Sequence, residues 1–214
     1  MARIDDYRES FRLASEQLVA ADLEKIAERA GVTFSRRDGG PVEMGLNFLA
    51  SPFVVQVGDR VQVMREGQEN DVPLPEKIII AHYLLHASGK PATGQLITFR
   101  QIPDGHFYYD AFQRRARDPL LAAFGNNREL FLTCGRLLDG KPVDSGDFGM
   151  SFQVLPRTTI RLVLWEGDDE FPPEASILFD SIIREDFSAE DIAVLSGMLV
   201  YRLMGIARSR QPKS

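Results

Sequence analysis

The sequence predicts an α+β fold: a mainly antiparallel sheet, a meander plus a hairpin, packed with a buried central helix and with amphipathic helices at both ends. Three observations carry this. Strand patterns are grouped before and after a block of helices and do not alternate with them, which argues against βαβ crossovers. Period-two stretches are separated by short turns rich in Gly and Pro. Both ends of the chain repeat apolar residues at helical spacing.

In order along the chain, Ile4, Tyr7, Phe11, Ala14 and Leu18 mark the first helix, with Asp5, Glu9, Glu16 and Gln17 on its other faces. A break is expected near Ala21, where Asp22 caps a second helix carrying Leu23, Ile26, Ala27 and Ala30 that Gly31 stops. Strands are predicted over Val32 to Arg37, Val42 to Leu49, Phe53 to Val57 and Arg60 to Arg65. Gly58-Asp59 reads as a two-residue type II′ turn between the last two. After a polar linker, a helix from Glu76 to Ser88 is apolar around most of its circumference and so belongs in the core.

A short strand, Leu96 to Phe99, precedes the aromatic run Phe107-Tyr108-Tyr109. Asp110 to Leu138 reads as helix interrupted at Asp118-Pro119 and at Gly125-Asn126-Asn127. The alternation of Phe148, Met150, Phe152 and Val154, then Thr159 to Trp165 after Pro156, predicts a second hairpin, with a further strand over Ser176 to Phe179. Ser188 and Asp191 resemble a capping box that opens the final helix. One domain is expected over residues 1–214, with the helical segment 1–30 docked on it and a flexible tail from 209 to 214.

A net charge of −6 argues against general binding to nucleic acid or anionic membrane, although Arg114, Arg115 and Arg117, and Arg202, Arg208, Arg210 and Lys213, cluster locally. No stretch reads as a signal peptide or a membrane span, so a cytoplasmic location is expected. Cys134 is the only cysteine, so this chain alone can build neither a disulfide nor a thiolate metal site.

The candidate ligand-binding residues are Trp165, Asp168, Glu170, Asp180, Tyr108 and Tyr109. The turn from Trp165 to Pro173 gathers four carboxylates beside the only tryptophan, directly after a strand end. A cation or cationic ligand fits that composition, and so does an ordinary solvated acidic turn. Asp180 is flanked by core residues, so if it is buried, desolvation or a partner such as Arg161 or Arg184 settles its charge. Tyr108, Tyr109 and Phe112, with Phe99, suit an apolar pocket with hydroxyl handles, or simply core packing. His82 and His86 share a helix face at i,i+4 spacing and are candidate metal ligands, lacking a recognisable third. No nucleotide-binding, hydrolase, kinase or deaminase signature is present.

Tyr83-Leu84, Thr98-Phe99, Gly105 to Phe112, Pro119-Leu120, Phe124-Gly125, Leu155-Pro156, Gly167-Asp168, Glu170-Phe171-Pro172, Leu178-Phe179-Asp180 and Glu190-Asp191 together resemble an uncharacterised prokaryotic family catalogued only as a domain of unknown function, frequent in anaerobes. The likeness runs from about residue 40 to the C-terminus. Some members of that family are joined to an iron–sulfur domain, so the resemblance implies anaerobic redox or corrinoid-linked metabolism, but it supplies no catalytic residues. With Cys134 alone this chain departs from those members. The leading expectation is an accessory protein of anaerobic metabolism that binds a small molecule or a protein partner. An enzyme with a site assembled from scattered His, Asp and Glu, and a helix-mediated interaction protein, stay open beside it. The residues specify no cofactor among a metal, a corrinoid and a haem.

Overall fold

A computed structural model of the chain describes residues 4–36 and 38–210. It is α+β with two antiparallel sheets. Arg37, at the end of the first expected strand, and residues 211–214 of the expected tail, with Lys213, lie outside the described residues.

The chain divides into two compact units. The first holds Met1–Pro91 with Leu155–Arg157 and Glu185–Phe187. Its helices are α1 (Ile4–Ala20), α2 (Leu23–Ala30) and α3 (Leu74–His86). The break between α1 and α2 is a cap: the Asp22 carboxylate accepts the Lys25 amide at 3.3 Å, and Gly31 closes α2 at φ 67°. The meander β1 (Thr33–Arg36), β2 (Val42–Phe48), β3 (Ser51–Val57) and β4 (Val61–Arg65) runs in sequence order. Its period of two turns Met44, Leu46, Phe48, Phe53, Val55 and Val63 into the core. Ile79, Ile80, Tyr83 and Leu84 bury α3 as its composition predicts.

Two turns of the meander depart from expectation. Val57 pairs with Val61, so the β3–β4 turn has three residues, Gly58 to Arg60, and Gly58 is not among the positive-φ glycines. Burial sets this register, because a two-residue turn would pair Val57 with Arg60 and turn the arginine inward. Between β2 and β3, by contrast, Phe48 pairs with Ser51, and Leu49 and Ala50 take φ 49° and 57°. That is the left-handed geometry of a type I′ turn, built here without glycine.

The second unit holds Ala92–Val154, Thr158–Arg184 and Ser188–Ser214. Its sheet orders β5 (Leu96–Thr98), β9 (Glu174–Asp180), β8 (Thr158–Trp165), β7 (Phe148–Leu155) and β6 (Lys141–Val143), listed from edge to edge. Short β6, with Pro142 inside it, escaped the sequence pattern. The helices are α4 (Gly105–Phe112), α5 (Asp118–Phe124), α6 (Arg128–Leu137), the single turn α7 (Ile183–Asp186) and α8 (Ala189–Arg210). The aromatic run Phe107-Tyr108-Tyr109 lies within α4.

Asp118-Pro119 does not break the helix as expected. From Gln113 to Arg117 the chain widens into a π turn, with the Asp118 amide bonded to the Gln113 carbonyl. Pro119 explains it: proline has no amide for the Arg115 carbonyl and would crowd it in a regular helix. That carbonyl lies against α8 at Gly197, where a Cβ would stand 3.1 Å from it. Ser188 caps α8 through its hydroxyl, which accepts the Asp191 amide at 3.1 Å and donates to the Asp191 carboxylate at 2.7 Å. By length and composition alone α8 is long and apolar enough to cross a membrane, with half of that stretch buried in the fold. A core helix of a soluble protein passes the same test.

Candidate functional site

Trp165 ends β8 directly opposite Glu174, which opens β9, and the eight residues between them make the turn. Its backbone is braced from within. Asp168 Oδ1 accepts the amides of Glu170 and Phe171, each at 2.8 Å, and the Asp168 amide donates to the Phe171 carbonyl at 2.9 Å. The Phe171 amide, then that of Glu170, hold the Asp168 carboxyl below its usual range. At the base of the turn, Asp147 accepts the Glu166 amide at 2.8 Å. Gly167 fits because a Cβ there would stand 2.7 Å from Pro173.

Asp168 is therefore committed to its own loop, and Glu170 is exposed. What the turn presents outward is aromatic: Phe171 is 67% exposed and Trp165 38%. Among the described residues no lysine or arginine pairs with Glu166, Asp168, Asp169, Glu170 or Glu174. The acidic character seen in the sequence is thus a solvent-facing, uncompensated charge around two exposed rings.

Asp180 lies at the far end of β9, ~20 Å from Glu174 at the usual rise per strand residue. Asp180 is 8% exposed and its carboxylate is engaged through both oxygens. Oδ1 accepts from the Thr93 amide at 3.0 Å, the Thr93 hydroxyl at 2.8 Å and the Ile182 amide at 3.0 Å, and Oδ2 from the Gly94 amide at 2.7 Å. Burial is the largest single influence and raises its pKa, but the combined hydrogen bonds from Ile182, Thr93 and Gly94 outweigh it and hold the carboxyl below the usual range. Backbone amides take the place of the expected arginines. Arg184 donates to the Ser181 carbonyl instead, and Arg161 Nε is buried with no hydrogen-bond partner among the described residues.

Tyr108 and Tyr109 are half-buried on α4. The Arg100 guanidinium lies 4.2 Å over the Tyr109 ring, and Phe99 stacks on Phe112 at 4.2 Å within the core. His82 and His86 meet edge to face at 6.1 Å, with Ser10 Oγ 3.4 Å from His82 Nε2. No group of three His, Cys, Asp or Glu suited to a metal occurs among the described residues. Burial pushes the Cys134 thiol up, which leaves it protonated and unreactive at neutral pH.

Tyr83, buried in α3 as the apolar circumference of that helix predicts, is a structural centre. Its buried hydroxyl donates to the Ala30 carbonyl at 2.6 Å and accepts the Arg157 amide at 3.1 Å, and its ring stacks on Phe187. Its two polar partners are 53 and 74 residues away, which no local pattern displays.

No curated protein and no solved structure matches the chain. A family model described as a domain of unknown function, DUF3786, matches residues 22–202. With that match covering most of its length, the chain belongs to the DUF3786 family.

Proposed function

We propose that the chain is a non-catalytic accessory protein, of anaerobic metabolism as the family resemblance implies, that docks a protein partner through the β8–β9 turn. The observation that carries this reading is the exposure of Phe171 on a turn braced by Asp168. A large ring held outward by a fixed backbone gives up little conformational entropy on binding, and aromatic anchors dominate interface energetics. The other sequence candidates support the choice by their engagement elsewhere: Asp180 holds a loop, Tyr109 lies under Arg100, and Cys134 is buried.

A photo-crosslinking residue in place of the exposed Asp169, introduced in the native host, tests this. The reading predicts a discrete protein adduct that is lost when Phe171→Ala is added. An adduct pattern that ignores Phe171, or none at all, removes the turn as the docking site.

A further inference from the structure

Five rings of this chain carry a cation of the chain itself, and Trp165 is not among them. Arg36 lies over Phe34, Arg65 over Phe53, Lys77 over Phe11, Arg100 over Tyr109 and Arg128 over Phe148, at 4.2 to 6.0 Å. Trp165 has the ring type that attracts cations most strongly. Among the described residues no cation of the chain covers it, although it is 38% exposed.

Its surroundings suit a cation from elsewhere. Trp165 and Glu174 are direct cross-strand partners, so their side chains leave the same face of the sheet with Cβ atoms about 5 Å apart. The Glu174 carboxylate has no ion-pair partner among the described residues. An indole and an unpaired carboxylate on the same face of the sheet offer a cation both a quadrupole and a counter-charge.

We infer that Trp165 and Glu174 form a seat for a lysine or arginine side chain of the docking partner. This deepens the docking proposal and rests on it. The partner's contact surface is then basic, with an apolar recess for Phe171.

Because Trp165 is the only tryptophan, intact protein reports on the seat by its own fluorescence. Hexaarginine and hexalysine peptides are titrated at low salt, with hexaglutamate as control. The expected result is a saturable change in emission with the basic peptides alone, weakened about threefold or more by Glu174→Gln. Calorimetry on Trp165→Ala should show a comparable loss, while Glu43→Gln, on the unrelated sheet of the other unit, should bind as the parent does. No saturable change, or equal affinity in Glu174→Gln, overturns the seat. The two proposals separate cleanly: crosslinking that depends on Phe171 without peptide binding at Trp165 leaves the docking turn standing and removes the cation seat.

Discussion

The hydroxyl of Tyr83 accepts the backbone amide of Arg157 at 3.1 Å, and in the same position donates to the Ala30 carbonyl at 2.6 Å. One buried side chain thereby ties α3 to the end of α2 and to the segment 155–157. Burial pushes its phenol up from an ordinary 10.0 to about 12.

Tyr83→Phe should cost about 1–3 kcal/mol in urea unfolding, because both backbone partners lose their bond. The pH dependence has a definite sign. An acid whose native pKa is raised gives stability that is complete below the unfolded value and is lost as pH rises toward the native one. Native protein should thus lose stability between about pH 10 and pH 12, and Tyr83→Phe should flatten that limb. Urea midpoints across that range check it.

Asp180 behaves in the opposite sense. Its depressed pKa contributes stability above the unfolded carboxyl value, lost as pH falls through the native one, so the acid limb should begin below about pH 4. In Asp180→Asn the new amide group faces a backbone donor, and a loss of about 2–3 kcal/mol at neutral pH is expected from thermal unfolding, with a shallower acid limb.

Ala50 is exposed in the left-handed region, at φ 57°. Glycine removes that strain at some cost in unfolded-chain entropy, so Ala50→Gly should stabilise by about 0.5–1 kcal/mol. A rise in the urea midpoint at unchanged slope is the expected readout.

Gly197→Ala places a Cβ 3.1 Å from the Arg115 carbonyl, where the π turn presses on α8. Overpacking against backbone should cost about 1–2 kcal/mol. Calorimetric melting checks it, and Gly205→Ala, with nothing within 4 Å of its Cβ, should instead leave stability equal or higher.

What was legible in the sequence was local. Asp22 and Gly31 bracket α2, and Ser188 and Asp191 cap α8, because caps depend on residues three or four apart. Alternating burial displayed β2 and β7 for the same reason. What stayed hidden depends on distant partners or on strain: Asp180 meets Thr93 from 87 residues away, and nothing in Leu49-Ala50 suggests a left-handed turn. The Trp165 turn was visible as an acidic loop. Its outward Phe171 was not, since a phenylalanine before proline reads equally as core, and only the Asp168 brace fixes it outward.

The native mass of the chain in extracts of its own host, by gel filtration, tests docking through the β8–β9 turn most directly. The account predicts that the protein migrates well above its 24.0 kDa chain mass and that Phe171→Asp returns it to the position of the isolated chain. A Phe171→Asp variant that stays in an unchanged assembly, or a parent protein that migrates alone, would contradict it.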